Sequence, residues 1–223
     1  MLGHFVPDLV LGALHKCLHG QVPAEGASAL WNLHLSVRPL ESNPEGRNAE
    51  MLMFNSGGMG ARAAKDGLSA TAFPSGVHTM PVEATEHAGP VIVWRKELRN
   101  GSGGAGQLRG GLGQEIEVSA AEGYSFRFSA MFDRILYPAR GLEGGKEGAK
   151  GYVGLDDGTL LRGKGQQFVP SERRLILSLP GGGGYGDPRQ RPREEVERDL
   201  RFGYISAEQA RDDYGYEAGQ GSK

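Results

Sequence analysis

Two arginines and two glutamates are the side chains of this sequence best placed to act on a ligand. Arg62 follows Gly57-Gly58-Met59-Gly60-Ala61, and Arg109 precedes Gly110-Gly111-Leu112-Gly113. Beside glycine the backbone can come close to a bound molecule while a planar guanidinium grips a carboxylate or phosphate at two points. Gly58, Arg62, Arg109 and Gly110 are therefore the candidate substrate-binding residues. Equally open is a bracing role, in which an arginine holds glycine-rich turns against a carboxylate such as Asp66. Glu83 and Glu86, bracketed by His78 and His87, are the candidate catalytic residues, able to orient a group or take a proton. The competing reading makes them surface or helix-capping carboxylates.

Other chemistries find less support. Gly101, Gly103 and Gly106 fit G-x-G-x-x-G, as do Gly181, Gly183 and Gly186, but neither set runs into a helix whose amides would meet a pyrophosphate. The first continues into Arg109-Gly110-Gly111 and the second into Asp187-Pro188. No lysine followed by Ser or Thr closes either, so no cofactor is expected on this chain. The six histidines are scattered. His15 and His19, four apart, can share a helix face, but a solvated or helix-end role is expected over ligation, and no metal ligand is assigned. Cys17, the one cysteine, lies on an apolar helix face and is expected in the core. Ser56 and Ser102 adjoin glycines without G-x-S-x-G or an identifiable base.

The elements that must position these residues are short and strand-rich. Pro7 and Asp8 open a helix of about three turns in which Leu11, Leu14 and Leu18 recur, with Gly20 closing it; its face is expected to be core or interface. Trp31 to Val37 alternates apolar and polar residues, the period of a half-buried strand. Met51–Phe54, Val91–Leu98, Ile116–Val118, Tyr124–Ala130, Tyr152–Leu155, Thr159–Leu161 and Leu175–Leu179 read as further strands, with Asp157-Gly158 as a hairpin turn. Beyond Gly186 come helix formers: Pro192 to Gly203, then a helix with Ser206 and Gln209 at capping-box spacing. The fold class that follows is α+β, predominantly antiparallel β with Gly-rich turns, an N-terminal helix and two short C-terminal helices. Residues 1–187 form the strand-rich part, 188–217 a helical segment and 218–223 a flexible tail.

Composition narrows function further. The chain carries 25 basic and 27 acidic residues, without the basic footprint that nucleic acid requires. No apolar run reaches the ~20 residues of a membrane span, and Met1 to Pro7 lacks the features of a secretory signal, so a cytoplasmic setting is expected. Glycine is abnormal, at 37 of 223 residues. Its clusters are expected to serve positive φ angles, close backbone approach or both.

Five blocks occur in a telling order: Gly57 to Arg62 with Asp66-Gly67; Pro81-Val82-Glu83 with Glu86 and Pro90; Ser102 to Gly106 with Arg109 to Gly113; Gly181 to Pro188; and Val196, Asp199, Gly203, Ser206, Ala210 and Tyr214-Gly215. Together they resemble the hydantoinase B/oxoprolinase family. The resemblance implies a component of an ATP-dependent cyclic-amide hydrolase that opens hydantoin or 5-oxoproline rings beside a hydantoinase A-type ATPase subunit, which binds the ATP. A component of an acetone or acetophenone carboxylase-like enzyme and a truncated, non-catalytic remnant are the alternatives. Family members are usually more than twice this length. Their amino-terminal half carries an N-D-P…G-G-x-H-x-x-D type stretch with the implied divalent-metal ligands, and nothing like it occurs here. A separate N-terminal B-type fragment, a hetero-oligomer and inactivity of the chain alone are the corresponding expectations. The sequence also reads Asn100-Gly101-Ser102 where the family often has Asp directly before Ser-Gly-Gly.

Overall fold

The computed structural model describes residues 2–28, 30–71 and 73–217. Alternating side chains in β1 (Trp31–Pro39) and β2 (Ala49–Asn55) put Leu33, Leu35, Val37, Met51 and Met53 on one buried face, as period-two patterning demands. β5 (Tyr124–Met131) adds Phe126, Phe128 and Ala130 to that face, and β7 (Lys164–Val169) closes an antiparallel sheet of order β2-β1-β5-β7. The strands β3 (Val91–Leu98), β4 (Gln114–Ala120), β6 (Tyr152–Leu155) and β8 (Leu175–Ser178) form a second antiparallel sheet of order β3-β4-β8-β6. Its Ile116, Val118, Val153, Leu175 and Leu177 join the first sheet's apolar face in one buried cluster. Burying such a side chain is worth about 1.5–3 kcal/mol, so this shared interior is the main source of stability. Trp31 stacks on Phe132 with ring centres 4.5 Å apart. Its indole N–H donates to the Asp133 carbonyl.

The strands follow the alternation in the sequence, with two differences. β7, Lys-Gly-Gln-Gln-Phe-Val, carries too little apolar signal to be read as a strand, and it pairs because β5 offers it an edge from Phe126 to Met131. The Asp157-Gly158 turn forms with Gly158 at φ +87°, but the returning segment makes only a bridge between Gly154 and Leu160. Pro81 leads into a short α2 (Val82–Ala88), where the Thr85 hydroxyl donates to the Pro81 carbonyl at 3.0 Å.

Between the sheets and the C-terminal helices the glycine clusters form a bundle of extended segments. The amides of Gly181 and Gly184 both donate to one neighbouring stretch, at Ala149 and Lys146, while Gly182 donates to Gly111 and Gly183 to Glu25. In return the carbonyls of Pro180 and Gly183 accept from Gly58 and Ala61. Bonding the same neighbour at every third residue is the signature of a polyproline-II-type chain, which has three residues per turn and no internal hydrogen bonds. Gly181 to Gly184 therefore serve close approach rather than turning. Gly181 to Gly184 lack positive φ, and a Cβ on Gly182 would overlap the Met59 carbonyl.

Two expectations about the first helix need correction. α1 (Val6–Leu14) ends a turn early, followed by hydrogen-bonded turns to Gly20, and none of its residues is buried. Leu9 and Val10 face solvent, and Cys17 is exposed rather than in the core. The helix is held by a polar tether: Asp8 pairs with Arg134 at 2.7 Å and accepts a hydrogen bond from Ser28. Helices α3 (Arg193–Arg201) and α4 (Ala207–Asp212) arise where expected, and Ser206 and Gln209 make both bonds of the capping box. Val196, Ile205, Ala210 and Tyr214 pack with Ala105 of the glycine bundle. The tail expected at 218–223 lies outside the described residues. Among those described, no helix is long and apolar enough to cross a membrane.

Candidate functional site

Arg109, taken from the sequence as a ligand-gripping residue, is buried at 4% exposure. Its Nε donates to Asp199 Oδ2 at 3.1 Å, its Nη1 to the Gly110 carbonyl at 2.7 Å, and its guanidinium lies 5.1 Å from the centre of the Tyr204 ring. Arg191 completes the cluster. Its two terminal nitrogens each donate to one Asp66 oxygen at 2.8 Å, and Nη2 also reaches Asp199 at 2.8 Å. Burial, the largest influence on Asp66, pushes its carboxyl up. Arg191 and the Arg109 backbone amide outweigh it and hold the group below the usual range. Two arginines and two aspartates thus lock α3 onto the glycine bundle, the bracing arrangement in which buried charges are paired and hydrogen-bonded. Arg109 has no face turned to an incoming ligand.

Arg62, Gly58 and Gly110 gather with Arg109 around Asp66 and Gly111, whereas the two glutamates lie on α2. Arg62 is half-buried and holds the Asp66 carbonyl through Nε and Nη2 at 3.2 and 2.8 Å. Gly58 and Gly110 are buried in the bundle, where a Cβ would strike Gly111 and Gly182, so both contact backbone. Glu86 accepts from the Val93 amide at 2.8 Å, pinning the start of β3. Glu83 lies exposed on the first turn of α2. The two glutamates thus stand together on α2. All four amides of Gly181 to Gly184 are committed to carbonyls rather than arranged as a phosphate cradle.

What the structure does gather, and sequence spacing did not reveal, is a polar cavity of about 180 Å³ between α1 and the glycine bundle. Asp8, Glu25 and Arg140 line it with Leu11, Gly12 and Leu142. Arg134 bridges the carboxylates, bonding Asp8 at 2.7 Å and Glu25 at 3.0 Å, while Arg140 Nε donates to Glu25 at 2.7 Å. Burial pushes the Asp8 carboxyl up despite Ser28 and Arg134, and the Glu25 charge adds to the rise. Glu25 goes the other way. Burial would raise it, but Arg140 and Arg134 together hold it below the usual range. The two carboxyls are thus shifted in opposite directions although one guanidinium bridges them. Only the long-range arrival of Arg134, at 126 residues from Asp8, unites them, and no local motif signals it.

Beside this cavity, past Leu142, lies the one trio among the described residues whose metal-ligating atoms fall within 4.8 Å of one another: His15, His19 and Glu143. The N-D-P…G-G-x-H-x-x-D stretch implied by the family resemblance is absent from the sequence, so no residue here fits those ligands.

Comparison with known proteins bears on the whole of this architecture. The family model described as hydantoinase B/oxoprolinase matches residues 1–188. The B-type component of a putative D-/L-hydantoinase from Pseudomonas sp. (strain NS671) is 31% identical over 216 residues, covering 93% of this chain and 36% of that protein. The crystal structure of an ATP-dependent caprolactamase from Pseudomonas jessenii superposes with a TM-score of 0.76 at 26% identity, over 94% of this chain and 38% of its own. A nucleotide-free acetone carboxylase shares the fold with a TM-score of 0.71 at 21% identity, over 87% of this chain and 30% of its own. The chain spans little more than a third of the first of these relatives.

Proposed function

This chain belongs to the hydantoinase B/oxoprolinase family, and from that premise we propose that it is a component of an ATP-dependent cyclic-amide hydrolase acting with a hydantoinase A-type ATPase subunit. The observation that carries the reading is 31% identity to the B-type component of a hydantoinase across nearly the whole chain. An unactivated amide resists water, so energy from ATP must make its carbon electrophilic. What remains for the B-type component is to position the ring and stabilise charge while water adds to that carbon and the C–N bond breaks. ATP sits on the partner, in keeping with a glycine-rich region whose central amides are already bonded to carbonyls. A divalent metal of the family's amino-terminal region and a cytoplasmic hetero-oligomer without nucleic acid or membrane belong to the same proposal. The exposed apolar face of α1, with Leu9 and Val10, favours such an added surface. Within the chain, the Asp8–Glu25 pair and Arg62 are the groups nearest to a functional role, ahead of Glu83 and Glu86.

The test mixes this chain with an A-type ATPase and an amino-terminal B-type polypeptide, then follows ADP release and ring opening of hydantoin, 5-oxoproline or caprolactam by mass spectrometry. Opening that requires all three polypeptides and ATP supports the reading. The acetone carboxylase fold favours a second reading, a component of a carboxylase. Turnover of ketone plus bicarbonate alone would establish it, and no turnover with either substrate class would leave a non-catalytic remnant.

A further inference from the structure

His15 sits at the C-cap of α1 and His19 in the turn beyond, where the Leu18 amide still bonds the Leu14 carbonyl at 2.8 Å. That continued winding brings the two imidazoles together edge to face, with ring centres 5.4 Å apart. Glu143 arrives from the glycine bundle, more than 120 residues away in sequence. Its Oε1 lies 3.4 Å from His15 Nε2 and 3.5 Å from His19 Nδ1. With metal–ligand bonds of about 2.0–2.2 Å, the edge of a tetrahedral site measures about 3.3–3.6 Å, and both N···O separations fall within that range. They are long for N–H···O hydrogen bonds.

The backbone supplies a second observation. Residues 142–145 form a tight turn closed by the Gly145 amide on the Leu142 carbonyl at 2.8 Å. Gly144 takes φ +93°, and Glu143 takes φ +49°, a left-handed conformation that costs a side-chain-bearing residue about 1–2 kcal/mol. Glycine would fill this position without strain. The turn carries the Glu143 carboxylate toward both histidines.

We infer that His15, His19 and Glu143 form a binding site for a borderline divalent cation of the zinc type, clamping the turn after α1 to the glycine bundle beside the Asp8–Glu25 cavity. Two imidazoles and one carboxylate suit Zn²⁺ or Co²⁺ better than Mg²⁺ or Ca²⁺, which prefer all-oxygen sites. Three protein ligands leave a position for water or a ligand group. The inference is independent of the hydrolase reading.

The experiment uses the full 223-residue chain stripped with chelator, titrated with Zn²⁺ by calorimetry and with Co²⁺ by visible spectroscopy. One equivalent should bind, with d–d bands of a tetrahedral ion, no thiolate charge-transfer band and a raised Tm. Each of His15→Ala, His19→Ala and Glu143→Gln should weaken binding at least about tenfold, the lower end of the loss seen even for outer-shell partners of a metal. Cys17→Ser should bind like the parent. Glu143→Gly guards against misfolding: it should raise the metal-free Tm while abolishing the metal-dependent rise. Parent-like affinity in both His19→Ala and Glu143→Gln overturns the inference. So does loss of binding in Cys17→Ser, which would place the ion on the thiol.

Discussion

Arg191 holds Asp66 in a two-pronged grip, each terminal nitrogen 2.8 Å from one carboxylate oxygen, although the residues are 125 apart in sequence. The same guanidinium touches Asp199, a helix residue with no exposure at all. Through this pair the C-terminal helices and the glycine bundle become one packed unit.

Arg191→Met should therefore lower stability by about 3–5 kcal/mol, because it strands Asp199 and Asp66 without their main partner. Arg191→Lys should recover only part of the loss, since an ammonium cannot bridge two oxygens in a plane. Urea denaturation of the full chain followed by circular dichroism measures both.

The two sequence-nominated arginines should separate. Arg109→Ala should cost about 3–5 kcal/mol by uncovering buried Asp199. Arg62→Ala, losing a hydrogen bond to a carbonyl at a half-buried site, should cost about 1 kcal/mol. In the reconstituted enzyme, a fall in kcat/KM for Arg62→Ala that exceeds its stability loss would mark ligand contact. Matched losses would assign it to bracing as well.

Acid should act partly through Asp66. Its folded-state carboxyl lies below the ordinary 3.8, so its contribution is fully present above the unfolded value and fades as pH falls through the folded one. The stability gap between the parent and Asp66→Asn should be constant near neutrality and shrink below about pH 4. A gap unchanged down to about pH 2 would refute the depressed carboxyl.

Two glycine substitutions should have opposite signs. Gly182→Ala forces a methyl into the Met59 carbonyl and should cost at least about 3 kcal/mol, beyond ordinary overpacking because backbone cannot rotate away. Gly12→Ala, exposed in α1 with open space around it, should gain up to about 1 kcal/mol from helix propensity. Thermal melts of the two variants check this pair.

The sequence alone determined what depends on neighbours along the chain. Strand alternation in β1, the Ser206–Gln209 capping box, the α+β class and the ordered glycine blocks that mark the family are all local patterns. Tertiary structure decided what depends on distance. Glycine runs look alike whether they turn, cradle phosphate or pack side by side, and only the three-residue rhythm of bonds around Gly181 to Gly184 shows the last. Arg109 looks like a ligand hook until Asp199 arrives 90 residues later to bury it. The leucines of α1 imitate a core face, yet polar contacts such as that of Asp8 with Arg134 set the helix and leave them outside. Asp8 with Glu25, and His15 with His19 and Glu143, are joined by contacts across the fold. Charge and coordination depend on separation in space, which residue spacing does not encode.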